Sequence, residues 1–218
     1  MSVWRIMAGG PMENVPIDEC VKNRNYWIGV DRGAAVLQDE GIDPIAVFGD
    51  FDSPEGKAWL NSSSDAGAKH LYPEEKNDTD LALCVTWALA QKPARLEIYG
   101  ATGGRLDHFI GSIGMLEGAI DSGVNVVIID RWNELSMYTS GSYTLQNNSL
   151  YTYLSFHAVT ASVEGLTLKG VKYPLQSFTL ERNSTRCVSN EFSAQQAQLD
   201  FCTGRLLMIR SRDRNEKE

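Results

Sequence analysis

The texture of the chain changes near Asp130, and that change limits the possible folds more than any other feature. Before it, short apolar runs at 3–8, 26–30, 45–48, 96–99 and 124–129 read as strands and alternate with helical patterns. One helix begins at Asp78 or Thr79, either of which can cap it, and carries Leu81, Cys84, Val85, Ala88 and Leu89 on one face. Another, over 105–121, turns Leu106, Phe109, Ile110, Ile113, Leu116 and Ile120 inward. This βαβα order predicts an α/β domain over residues 1–130, a mainly parallel sheet flanked by helices. After Asp130 the apolar residues fall in short alternating runs, at 136–139, 143–146, 150–157, 161–166, 177–180, 186–188, 198–202 and 205–209. Residues 131–218 are therefore expected to form an all-β, sandwich-like domain with a charged C-terminal tail. A β-module of that size is marginal alone, so packing on the first domain or on a second subunit is expected.

In open α/β sheets ligands bind at the carboxyl ends of the strands. Here four strand ends carry an acid or a glycine-rich turn. Gly9-Gly10-Pro11 follows the first strand, Asp31 the second, Asp50 the third, and Gly100-Ala101-Thr102-Gly103-Gly104 follows 96–99. All four should open on one edge of the sheet.

Two carboxylates, Asp50 and Asp52, lie two residues apart just after an apolar strand. At a separation of ~4 Å their repulsion is about 4 kcal/mol at an effective dielectric of 20, which a divalent cation would relieve. A solvated Asp-Phe-Asp-Ser-Pro turn explains the same residues. Asp78-Thr79-Asp80 can likewise serve only to cap a helix, or can add a second acid pair to a phosphate-binding metal site. The turn after Tyr99 runs on into Arg105-Leu106-Asp107-His108. Glycines admit an anion to backbone amides, the helix N-terminus adds partial positive charge, and an arginine fork matches phosphate oxygens. This turn is neither a Walker P-loop nor a GxGxxG fingerprint, and the chain has no GxSxG elbow.

Composition excludes other classes. With 20 basic against 28 acidic residues the chain is a poor ligand for a nucleic-acid backbone. No apolar run approaches the ~20 residues that span a bilayer, and four scattered cysteines without CxxC spacing suit a reducing, cytoplasmic setting.

Taken in order, Gly9-Gly10-Pro11, Val30-Asp31-Arg32-Gly33-Ala34, Gly49-Asp50-Phe51-Asp52-Ser53, Asp78-Thr79-Asp80, Gly100 through His108 and Ser189-Asn190-Glu191-Phe192 resemble the bacterial-type thiamin pyrophosphokinases. The likeness covers nearly the whole chain. It implies an α/β nucleotide-binding catalytic domain, a β-sandwich thiamin-binding domain, a homodimer, and magnesium-dependent transfer of pyrophosphate from ATP to the hydroxyl of thiamin. Carried over by position, it implies that Asp50, Asp52, Asp80 and Asp107 are the catalytic acids, with Asp50, Asp52 and Asp80 around the metal. Asp31, Arg32, Thr79, Asp80, Gly103 and Arg105 then face ATP, and Ser189 and Asn190 face thiamin. Animal relatives carry a glycine where Arg32 stands, so this arginine either contacts phosphate or pairs with a nearby acid. Trp132 is either an aromatic platform for the thiazolium or a core residue at the domain junction. The proton acceptor is open among Asp107, Asp31 and a phosphate oxygen. Two other readings of the same acids are a metal-dependent nucleotide-sugar glycosyltransferase and a sensor of nucleotide or thiamin diphosphate without turnover.

Overall fold

The computed structural model describes residues 2–51, 67–71 and 77–214, which fall into two compact units, Met1–Arg131 and Trp132–Glu218. In the first unit the described strands are β1 (Val3–Met7), β2 (Trp27–Val30), β3 (Ala46–Gly49), β4 (Ala68–Leu71), β5 (Arg95–Tyr99) and β6 (Asn125–Ile129). They form a parallel sheet in the order β4-β3-β2-β1-β5-β6. Met7 of β1 aligns with Gly29 on one side and Tyr99 on the other. The chain moves outward from β1 through β2, β3 and β4, then returns to the opposite flank with β5 and β6. The strand order therefore reverses between β1 and β5, where an α/β sheet opens a crevice for a ligand.

The described α-helices are α1 (Ile17–Cys20), α2 (Arg32–Asp39), α3 (Asp80–Ala90) and α4 (Leu106–Ala119). Helix α2 packs on β1 and β2, α3 on β2 and β3, and α4 on β6. Thr79 is the cap of α3, and its Oγ1 accepts the Ala82 N–H at 3.2 Å. The buried face of α3 is Cys84, Val85 and Ala88, inside the expected stripe. Helix α4 departs from expectation. Its buried residues are Ser112, Leu116 and Ala119, while Leu106 and Ile110 are 75% and 67% exposed. Of the six residues expected inward, Leu116 is buried and Phe109, Ile113 and Ile120 are half-buried; the covered face is rotated from the expected stripe, because apolar residues stand on two faces of α4 and its contacts with β6 and α3 decide which is covered.

Within this sheet a polar network ties β1 to β5. Glu97 accepts Arg5 Nε at 3.1 Å and Arg95 Nε at 2.9 Å, and the Tyr99 hydroxyl donates to it at 3.2 Å. Arg5 is buried over the Trp27 ring, so the carboxylate supplies the counter-charge that its burial demands.

The second unit is built on two long strands, β7 (Asn133–Gln146) and β11 (Gln196–Ser211), paired antiparallel along their length. Strands β8 (Tyr153–Ala158), β9 (Ser162–Lys169) and β10 (Leu175–Glu181) complete it: β8 joins one half of β11, β9 the other, and β10 pairs with β9. The runs 136–139 and 143–146 are thus one strand, as are 198–202 and 205–209. The breaks between these runs fall within continuous strands, with a register shift between Phe201 and Arg205. Across that shift the inward set passes from Ala197, Leu199 and Phe201 to Leu206 and Met208. An irregularity that changes which parity faces the core is the signature of a bulge. The run 186–188 is a turn and no strand, held by the Phe156 N–H bonded to Cys187 O at 3.0 Å.

Candidate active site

The glycine turns after β1 and β5 meet at the switch point. The Gly10 N–H donates to Gly100 O at 2.9 Å, and a Cβ on Gly10 would fall 2.3 Å from that oxygen. Only a residue without a side chain lets the two turns touch. Around them opens a cavity of about 700 Å³, floored by Gly9, Gly10, Gly100 and Thr102 and walled by Asp31, Arg32, Thr79, Asp80, Arg105, Asp107 and His108. Ser112 and Met115 of α4 close one side.

The elements place each polar group. Asp31 follows β2 with φ 50°, a strained value for a residue with a side chain, and its N–H donates to Phe48 O at 2.9 Å. Its carboxylate lies against the backbone of Gly49. Asp80 opens α3. The fully buried Cys84 thiol sits near both acids: its pKa is pushed well above the usual range by burial, then by the charges of Asp31 and Asp80. Two carboxylates thus share one wall, where they repel a polyphosphate unless a cation intervenes. Arg32 begins α2, is exposed, and makes no ion pair among the described residues.

At the mouth, Arg105 and Asp107 form a two-pronged pair, Nε to Oδ1 at 3.1 Å and Nη2 to Oδ2 at 2.6 Å. Asp107 Oδ1 also accepts the His108 N–H at 2.9 Å. The hydrogen bond from Arg105, then that from His108, holds the Asp107 carboxyl down at about 2.

Of the residues expected from the sequence, Asp31, Arg32, Thr79, Asp80, Arg105 and Asp107 line this one cavity. Asp50 is half-buried just past β3 and lies outside the lining. Asp52 lies outside the described residues. Among the described residues no three His, Cys, Asp or Glu side chains gather as metal ligands. Gly103, expected to face ATP, is not in the lining; it abuts the Asn14 side chain. Sequence reasoning missed Ser112 and Met115, because a serine and a methionine inside a helix carry no signal of a ligand.

In the second unit the Asn190 side chain is committed to the backbone. Its Oδ1 accepts the N–H of Tyr173 at 3.0 Å and of Glu191 at 2.9 Å, and its Nδ2 donates to Tyr173 O at 2.9 Å. At 3% exposure it pins a turn. Ser189 beside it is exposed, with φ 56° and its N–H on Ser155 Oγ at 2.9 Å. The Trp132 ring carries the guanidinium carbons of Arg212 and Arg214 at 5.1 and 5.5 Å from its centroid. Two cations already use its π-faces, which makes it a poor platform for a third.

Comparison with known proteins decides the family. The description "Thiamin pyrophosphokinase, catalytic domain" matches residues 17–128, and "Thiamin pyrophosphokinase, vitamin B1 binding domain" matches residues 142–206. The chain belongs to the thiamin pyrophosphokinase family. It is similar to the thiamine pyrophosphokinase of Bacillus subtilis (strain 168), 38% identical over 214 residues that make up 98% of this chain and 100% of that protein. A crystal structure of the Bacillus subtilis family member superposes with a TM-score of 0.91 at 35% identity, covering 98% of this chain and 100% of that one. A family structure from Geobacillus thermodenitrificans gives 0.88 at 36% identity, covering 97% and 98%. These matches bear out the α/β domain followed by antiparallel strands. No helix among the described residues is long and apolar enough to cross a membrane.

Proposed function

We propose that the chain transfers a pyrophosphoryl group from ATP to the hydroxyl of thiamin, giving thiamin diphosphate and AMP. The observation that carries this reading is the cavity at the switch point, where laced glycine turns, two arginines, a threonine hydroxyl and acids on one wall face the same space. Family membership supplies the substrates.

The carboxylates of Asp31 and Asp80 share a wall, with Asp50 and Asp52 following the adjacent strand. Magnesium commonly takes one or two carboxylates and completes its shell with phosphate oxygens and water, so this donor set fits it. Asp50, Asp52 and Asp80 would hold it, and when bound it neutralises charge on the triphosphate. Arg32 and Arg105 contact phosphate oxygens. Thr79 Oγ1 accepts a bond at the helix cap and keeps its own proton to donate. Positioning and charge neutralisation carry such a displacement.

The thiamin oxygen forms a bond to the β-phosphorus, the bond from that phosphorus to the α–β bridging oxygen breaks, and AMP leaves. The hydroxyl proton goes to a base. Both Asp107 oxygens are engaged by the Arg105 fork and one also by the His108 N–H, so Asp107 serves to hold that fork at the mouth. Asp31 or a phosphate oxygen takes the proton. In the second unit Ser189 meets thiamin, and Asn190 keeps the turn that presents it.

Association into a homodimer belongs to the same proposal. Leu106 and Ile110 stand four residues apart on an exposed ridge of α4, an apolar surface that association would cover. Sedimentation showing a fully active monomer defeats that part. The chemistry is tested by incubating the chain with ATP, magnesium and thiamin and resolving the nucleotides. One AMP is expected per thiamin diphosphate; ADP with thiamin monophosphate means attack at the other phosphorus, and no product at all favours a sensor.

A further inference from the structure

We propose that a buried pair, Asp130 and Thr102, sets the shape of the phosphate-binding turn, with Asp130 as a positioning residue. Thr102 lies in the middle of the turn after β5, lines the cavity, and is only 8% exposed. Its Oγ1 donates to Asp130 Oδ2 at 2.7 Å. Asp130 follows β6 and is 6% exposed. A hydroxyl has one proton to give, and this one is given to a carboxylate, which makes the bond short and strong. Thr102 therefore does not donate to phosphate, although it stands in the glycine turn.

The sign of the charge supports a positional role. A buried carboxylate behind an anion-binding turn opposes the anion by Coulomb interaction, so attraction of phosphate is not its use. What it does is hold the turn from behind. The next residue along each chain segment is held in the same way. The Arg131 N–H donates to Asn14 O at 2.8 Å, and the Asn14 side chain lies so close to Gly103 that a Cβ there would fall 2.0 Å from Nδ2. Residues 102 and 103 are thus fixed by 130, 131 and 14, which leaves Gly104 and Arg105 at the cavity.

This inference rests on the ATP reading above, and its test keeps the two apart. Steady-state kinetics and direct ATP binding by calorimetry are measured for wild type, Thr102→Val and Thr102→Ser. Loss of a buried hydrogen bond is worth a factor of about ten, so Thr102→Val is expected to raise KM and Kd for ATP about tenfold with KM for thiamin unchanged. Thr102→Ser keeps the proton donor and restores both. A purely structural role would lower the melting temperature and the active fraction without moving KM. If Thr102→Val does not fold, Thr102→Ala takes its place, since it cannot overfill the site. In a Thr102→Ala, Asp130→Ala cycle the losses in ATP affinity should overlap. Unchanged ATP affinity in the valine or alanine variant, failure of serine to restore it, or fully additive losses in the cycle overturns the proposal. A wild type that binds ATP but makes no AMP defeats the functional reading instead, and the binding comparison still judges the pair.

Discussion

Replacing Gly10 with alanine tests whether the two glycine turns form one rigid floor. The added Cβ would lie 2.3 Å from Gly100 O, 3.0 Å from Gly100 C and 3.3 Å from Thr102 O, all backbone atoms. Ordinary contact begins near 3.4 Å, so the turns must part by about 1 Å, and the 2.9 Å bond from the Gly10 N–H to Gly100 O is lost with that movement. Overfilling of this kind costs about 1–3 kcal/mol, and an unmade buried hydrogen bond adds about 1 kcal/mol. A total of about 2–4 kcal/mol in a chain of this size lowers Tm by roughly 5–15 °C. Turnover should suffer more, because a displacement of about 1 Å in a positioned group is worth on the order of a hundredfold. Gly104→Ala is the stability control, since its nearest neighbour is Pro11 Cδ at 3.5 Å; its Tm should move by no more than about 2 °C. Thermal denaturation is followed alongside AMP formation with saturating thiamin. A Gly10→Ala protein with wild-type Tm and turnover refutes the account of the floor.

Asp50→Asn and Asp80→Asn should each remove nearly all turnover while leaving Tm unchanged, because the reading assigns both to charge neutralisation and not to packing; near-normal activity in either variant excludes it from the metal site. The Arg105–Asp107 pair predicts a pH effect whose sign follows from the lowered carboxyl, held at about 2 in the fold. Its stabilisation is fully present above the unfolded value of about 3.9 and is lost as pH falls through the folded value. Urea midpoints of wild type and Asp107→Asn should therefore differ by a constant amount above pH ~4 and converge toward pH ~2; because the pair is exposed, the difference should shrink in 1 M salt. A difference that instead grows on acidification contradicts the ion pair.

The sequence by itself determined the alternation of strand and helix up to residue 130, the change to strands beyond it, and the placing of acids and glycines just after the strands. These are local matters. Apolar periodicity follows from side-chain geometry within one element, and Asp31, Thr79 and the turn after Tyr99 sit at element ends, where polar and flexible residues must stand. The same local signals resembled one family in their order, and comparison bore that out.

Tertiary structure alone decided which face of α4 is covered and which strand ends meet. Leu106 and Ile110 had the right spacing for a core and are exposed, because α4 turns Ser112, Leu116 and Ala119 inward. Asn190 matched a binding stretch and is spent on the backbone of Tyr173 and Glu191. The pairing of Thr102 with Asp130 joins residues 28 apart. No periodicity or motif connects them, since they become neighbours only when β5 and β6 align side by side and bring both strand ends to one edge.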